Sequence, residues 1–261
     1  MSEPRVRRPA AAGTFYPGER DALASAVDAL LATAGEPPSG PSPTALIVPH
    51  AGYVYSGPIA ATAYGLLRAW GIPRVALFGP AHFLPTRGTA VPGVDAWRTP
   101  LGDLPIDGEL REVAAGCGAR VDDRPHEPEH SLEVQLPFLQ RVFGEAVSVL
   151  PVAVGSAAPE EVAPLIEAVL PTALVVVSTD LSHYHDQATA ARLDRRTAEA
   201  VVAREPDAIS TEDACGSYAL RGIVELARRA DLSIRLLDLR TSADTAGEPW
   251  RVVGYGAFAV S

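Results

Sequence analysis

Apolar positions along the chain follow two alternating rhythms. From Asp21 to Ala34, Leu23, Ala26, Val27, Leu30 and Leu31 fall on one side of a 3.6-residue period, which predicts an amphipathic helix. A Pro/Gly/Ser-rich stretch from Gly35 to Pro43 then reads as a surface loop. The next run, Ala45-Leu46-Ile47-Val48, is continuously apolar and predicts a strand buried on both faces. Further strands are predicted at Arg74–Phe78, Ala146–Val154, Ala173–Ser178, Ser233–Leu239 and Arg251–Val260. Helical periodicity fills the intervals. A helix from Pro58 to Trp70 carries Ile59, Ala63, Leu66, Leu67 and Trp70 on one side, with Pro58 at its first position. Others are predicted at Gly108–Gly116, Ser131–Phe143, Pro159–Leu170, Gln187–Arg204 and Gly216–Ala230. Pro137 is expected to kink or end its helix, and Pro164 to make its helix less regular. The Gly- and Pro-rich region from Thr86 to Asp107 predicts a hairpin or irregular strands.

Strands buried on both faces and alternating with helices imply a largely parallel or mixed central sheet with helices on both sides. The expected architecture is therefore α/β, one domain over residues 1–261. No apolar run reaches the length of a membrane span, and no leader follows the polar stretch Met1–Arg8, so the cytoplasm is the expected compartment. A net charge of −10 without basic runs argues against nucleic acid and against anionic membranes as partners. All 22 basic residues are Arg. The absence of Lys excludes a Schiff base, a pyridoxal-phosphate anchor and a P-loop lysine, and the absence of Asn excludes N-glycosylation.

Three buried strands end in polar, reactive residues: Val48-Pro49-His50, Phe78-Gly79-Pro80-Ala81-His82, and Ser178-Thr179-Asp180-Leu181-Ser182-His183. Ligands of open α/β sheets bind beyond the carboxyl ends of the strands, and parallel strands would bring these ends to one rim. A fourth cluster runs from Glu127 to Glu133, where His130 and Glu133 would share a helix face, a spacing that suits a metal or acid/base pair and equally a plain helix start. His126 and His185 read as solvated loop residues rather than ligands. Cys215 precedes a predicted helix, where a thiol gains thiolate character, whereas Cys117 reads as an inert, partly buried thiol. Two imidazoles and a thiolate can hold a divalent metal with one position open, and zinc, iron and copper all accept such a set.

Together these residues resemble the Memo family, also called AmmeMemoRadiSam system protein B. The matching motifs run nearly end to end: Ala12-Gly13-Thr14-Phe15-Tyr16-Pro17, Pro49-His50-Ala51-Gly52-Tyr53, Gly79-Pro80-Ala81-His82, Glu129-His130-Ser131-Leu132-Glu133, Ser178-Thr179-Asp180-Leu181-Ser182-His183, Cys215-Gly216 and Val253-Gly254-Tyr255-Gly256. That family is similar in fold to the class III extradiol dioxygenases, which hold non-haem Fe(II) with two His and one Glu. The resemblance implies His50, His82 and Cys215 as metal ligands, with Fe(II) first and copper or zinc as alternatives. It places His183 at the acid/base position and His130, Glu133 and Asp180 around the pocket or behind the ligands. It implies a dioxygenase-like oxidoreductase acting on an unknown small-molecule substrate. The alternatives are an accessory protein working with AMMECR1-like and radical-SAM partners, or a zinc hydrolase. The chain departs from its relatives in carrying Phe15 rather than Trp at the early aromatic position. It also has Gly-Ser-Tyr after Cys215 in place of basic and His residues. Both departures weaken any transfer of the peptide binding linked to the family.

Overall fold

The apolar runs become the middle of a single large sheet. The computed structural model describes residues 3–35, 43–69 and 74–261. The chain opens with β1 (Val6–Arg7), α1 (Arg20–Thr33), β2 (Ala45–Val48), α2 (Tyr53–Tyr64) and β3 (Arg74–Pro80). The Gly/Pro-rich region forms β4 (Thr89–Val91), β5 (Ala96–Thr99) and β6 (Gly102–Pro105), followed by α3 (Gly108–Gly116) and β7 (Arg120–Val121). Then come α4 (Leu136–Phe143), β8 (Ser148–Val154), α5 (Pro159–Val169), β9 (Leu174–Ser178), β10 (His183–His185) and α6 (Gln187–Ala203). The last elements are α7 (Ser217–Arg229), β11 (Ile234–Thr241) and β12 (Val252–Val260). Residues 36–42 of the expected loop, and Trp70 of the expected helix, lie outside the described residues.

The large sheet has the order β10-β12-β2-β9-β3-β8-β4-β7, with β11 on the other edge of β12. Its centre, β2-β9-β3-β8, is parallel, while β12 pairs antiparallel with β2 and β4 antiparallel with β8. A small second sheet joins β1, β5 and β6, the last two as the expected hairpin. Alternate residues of the central strands feed two cores. Ala45, Ile47, Ala76, Phe78, Val175 and Val177 face the side covered by α3, α5, α6 and α7. Leu46, Val48, Val75, Leu77, Leu174 and Val176 face α1, α2 and α4. A strand with apolar residues on both sides is stable only when helices cover both, which is why the runs read as continuous. No helix among the described residues is long and apolar enough to cross a membrane.

Two helix boundaries differ from expectation. α2 begins at Tyr53, so Pro58 sits inside it, as Pro164 sits inside α5. A helical proline leaves the carbonyl four residues back without its bond. Those carbonyls belong to Val54 and Glu160, both exposed residues, so water can satisfy them. The helix expected from Ser131 starts only at Leu136, with Pro137 in its first turn, after a 3-10 turn at Glu133–Gln135. Side chains claim the carbonyls a longer helix would use: the Ser178 hydroxyl donates to the Ser131 carbonyl at 2.7 Å, and the Tyr53 hydroxyl to that of Val134 at 2.6 Å. His130 and Glu133 therefore do not share a helix face.

Asp107 ties the sheet to α3. Its carboxylate caps the helix by accepting from the Leu110 N–H at 3.0 Å, and it accepts from Arg74 at 2.7 Å and from the Ser148 hydroxyl at 2.8 Å. Burial pushes the Asp107 carboxyl up, but these donors outweigh it and hold it at about 2. The unfolded chain, with an ordinary carboxylate near about 3.9, then binds the proton first as pH falls. The stabilisation is complete above about pH 4 and is lost as the pH drops toward 2. Asp107→Ala should cost about 1–3 kcal/mol at neutral pH and flatten the acid limb of a thermal-midpoint profile. An unchanged midpoint at pH 7 would refute this role.

Candidate functional site

The carboxyl ends of β2, β9 and β3 meet at one rim, and the loop before α7 reaches over it. His50 follows β2 by two residues and His82 follows β3 by two, while Ser178 ends β9. In the β2–β9 register Val48 lies beside Ser178, so the His50 ring comes to rest over the β9 end. Its Nδ1 lies 2.9 Å from the Ser178 hydroxyl oxygen. That hydroxyl spends its own proton on the Ser131 carbonyl and also accepts from the Gln135 amide at 2.9 Å. It can only accept from His50, which fixes the proton on Nδ1 and leaves a bare lone pair on Nε2.

His82 is set in the same way by a different partner. Glu129, fully buried, accepts from His82 Nδ1 at 2.9 Å and from the His82 and Ser131 backbone N–H groups at 2.6 and 2.8 Å. The carboxylate holds the proton on Nδ1, and Nε2 is again free.

Cys215 Sγ stands 3.2 Å from His50 Nε2 and accepts from the Asp180 N–H at 3.3 Å. Donor atoms of His50, His82 and Cys215 all lie within 4.8 Å of one another. Ligands about 2.0–2.3 Å from one tetrahedral cation stand roughly 3.3–3.8 Å apart, so the His50–Cys215 spacing is close to that of two ligands on one divalent metal, with His82 near enough to be a candidate third. His82, Glu129 and His130 form a second such group that shares His82. Gly216 explains why Cys215 can approach: a Cβ there would sit 2.7 Å from the Ser178 carbonyl and 2.8 Å from the Thr179 hydroxyl.

A family model described as Memo-like protein matches residues 7–259. The chain belongs to the Memo family. It is 36% identical to a MEMO1 family protein of Thermotoga petrophila, with 95% of this chain and 97% of that protein covered. It is 37% identical to one of Thermotoga maritima over the same shares, and 35% identical to one of Aquifex aeolicus over 96% and 97%.

The remaining residues expected in this Memo-family site divide by position. Asp180 is buried and its carboxylate accepts the His50 N–H at 2.7 Å, while its carbonyl accepts the Cys215 N–H at 3.2 Å. It thus braces two donor-bearing loops against each other. Burial pushes the Asp180 carboxyl up to about 7, against the pull of the His50 and Ala51 N–H groups. His130 stacks on His82 with ring centroids 4.9 Å apart and packs on Phe15 at 4.3 Å. His183 donates from Nδ1 to the Leu181 carbonyl at 2.7 Å, leaving Nε2 free. Glu133 lies behind the site, with both oxygens committed to Arg7, to the Ala10 and Ala11 N–H groups and to the Tyr16 hydroxyl.

Burial disfavours the charged form of three of the imidazoles. Burial holds His50 well below the usual imidazole range, helped by the charges of His82 and His130, and burial also lowers His130 and His183. Burial pushes Glu129 up, but the His82 ring and the Ser131 and His82 N–H groups outweigh it and hold the carboxyl at about 2.

Three sequence expectations need correction. The Cys215 thiol is not acidified: burial and the neighbouring Asp180 carboxylate push it well up, outweighing the N–H groups around it. His126 is buried rather than solvated, against Trp97 at 5.6 Å, and burial lowers it to about 4. Cys117 is exposed, and both cysteines are free thiols. His185 is exposed as expected, but it ends strand β10 rather than lying in a loop. Glu129, Ser178 and Gln135 were missed as orienting groups. Their signal was weak: Glu129 and Ser178 each open one of the matching motifs and Gln135 follows one, with nothing local to show that they would be buried.

Proposed function

We propose that this protein is a metal-dependent redox enzyme of dioxygenase-like type. It binds Fe(II), or copper in its place, through His50, His82 and Cys215, and acts on a small organic substrate. The observation that carries the reading is the pair of imidazoles whose Nδ1 positions are both occupied by built-in acceptors, which leaves Nε2 of each ring free beside the Cys215 sulfur in one compact donor group. Ligating imidazoles are held in this way, with the outer N–H on a carboxylate, carbonyl or hydroxyl.

A bound divalent metal supplies Lewis acidity and, for iron or copper, one-electron chemistry. The chain's own residues do the rest. Glu129 and Ser178 keep the rings oriented by engaging Nδ1 of each. Asp180 holds the Cys215 and His50 loops in register. His183, neutral and with Nε2 free, is placed to accept or return a proton. The ring of His130, packed between His82 and Phe15, forms a wall that limits water.

The test is elemental analysis of the full chain after anaerobic loading with Fe(II), alongside oxygen uptake with catechol probes. Close to one equivalent of metal is expected, with substrate-dependent uptake. In the cobalt-substituted protein, Cys215→Ser should abolish the sulfur-to-metal absorption band. Protein that cannot be loaded ends the metal reading, and loaded protein with no uptake on any probe ends the enzymatic one.

A further inference from the structure

A cleft of about 660 Å³ opens over His82 and Cys215 and is lined on its far side by Arg87 and Arg120. That volume is typical of small-molecule sites, which run from roughly 300 to 1,000 Å³. Acids outnumber bases 32 to 22 in the chain, yet no Asp or Glu lines this cleft. Most arginines near an acid are already paired, as Arg74 is with Asp107 and Arg141 with Asp28. Neither Arg87 nor Arg120 enters an ion pair among the described residues. Asp122 feels the Arg120 charge, but it is bonded to Arg124 at 2.6 Å. The cleft therefore carries two guanidinium groups that have no carboxylate ion-pair partner among the described residues, in a molecule of net negative charge.

The arginines are held by backbone rather than left on a loose loop. Arg120 Nη2 donates to the Arg87 carbonyl at 3.0 Å. The Arg87 turn is stitched to the end of β8 by Ser156 N–H to Thr86 carbonyl at 2.8 Å and by Gly155 N–H to Gly88 carbonyl at 2.9 Å. A Cβ at Gly155 would collide with the Thr86 carbonyl, so the two turns are in van der Waals contact. Thr86 and Ser156 add hydroxyl-bearing residues to the lining, and Pro85, Val154 and Tyr218 add apolar surface.

We propose that this cleft takes a small organic anion, a carboxylate or a phosphate ester, whose charged group pairs with Arg87 and Arg120 while its uncharged part reaches toward His82 and Cys215. Guanidinium groups suit both anions because their paired N–H donors match two oxygens at once. The anion subsite stands on the cleft alone; only its service to a reaction rests on the metal-enzyme reading above.

The test is calorimetric titration of the full chain with benzoate, phenyl phosphate and the neutral benzyl alcohol. Both anions, or one of them, should bind, and added salt should weaken them. Arg87→Gln with Arg120→Gln should weaken anion binding by about ten- to a hundredfold and leave benzyl alcohol unchanged. Both side chains are exposed, so the double variant should keep the wild-type thermal midpoint. The better-bound anion identifies the headgroup. No binding of either anion, equal binding by the double variant, or equal affinity for the neutral alcohol overturns the proposal. His50→Ala separates the two readings, because it should lose metal and keep anion affinity. Arginine-dependent anion binding by a protein that never loads metal would sink the metal reading and leave this one standing.

Discussion

Glu133→Ala should lower the thermal midpoint by roughly 6–20 °C, the equivalent of about 3–5 kcal/mol for a buried charge stripped of its partner in a chain of this size. Arg7 and Glu133 are 2.7 Å apart, with side chains 5% and 0% exposed. The guanidinium also donates to the carbonyls of His126 and Glu129, both at 2.7 Å, and lies 4.2 Å over the Trp97 ring. Glu133 accepts in addition from the Ala10 N–H at 2.7 Å, the Ala11 N–H at 2.8 Å and the Tyr16 hydroxyl at 2.5 Å. Alanine would leave a buried cation without its counter-charge and take the acceptor from the Ala10 and Ala11 N–H groups and the Tyr16 hydroxyl. Glu133→Gln should fall between, since it keeps one acceptor oxygen but no charge. Thermal unfolding decides: a loss below about 1 kcal/mol would show that Glu133 is not the anchor of this segment. The effect extends to the site, because this same segment carries Phe15 to His130 and its carbonyl to the Tyr53 N–H at 2.8 Å.

His50→Ala should reduce metal affinity beyond the reach of a chelator-competition assay, whereas Glu129→Gln should weaken it by about 10–100-fold. The first variant removes one of three donors. The second leaves the donors in place and disturbs only their support. Glu129 accepts three N–H groups, two of them from backbone. A glutamine there must turn its amide nitrogen toward a donor on one side, which frees His82 to rotate. Wild-type affinity in His50→Ala would remove the metal centre altogether. Wild-type affinity in Glu129→Gln would show that His82 is oriented by something else, such as its stacking on His130.

The large sheet was readable because its central strands are apolar on both faces, and a run such as Ala45–Val48 admits few other environments. The strand ends at His50, His82 and Asp180 were readable for a related reason: reactive residues placed directly after buried strands must gather at one rim. What escaped was set by distant partners. Nothing near His126 indicates that Arg7, more than a hundred residues earlier, would cover it. The thiol of Cys215 looked acidified because a helix follows, but burial and Asp180, brought in by another strand, reverse the sign. The helix expected from Ser131 was shortened by hydroxyls from Tyr53 and Ser178, neither of them close in sequence.

β12 pairs with β11 along one edge, and with β2 and β10 along the other. Three strands made earlier thus depend on one made after residue 251. A ribosome that has extruded everything up to α7 has supplied His50, His82 and Cys215, yet the edge that seats β10 and its His183 does not exist. During synthesis one edge of β2 and one edge of β11 must wait unpaired, the state in which nascent sheets are most prone to associate wrongly. Translation arrest before that point should yield chains that chaperones hold and proteases clear, rather than a smaller working protein.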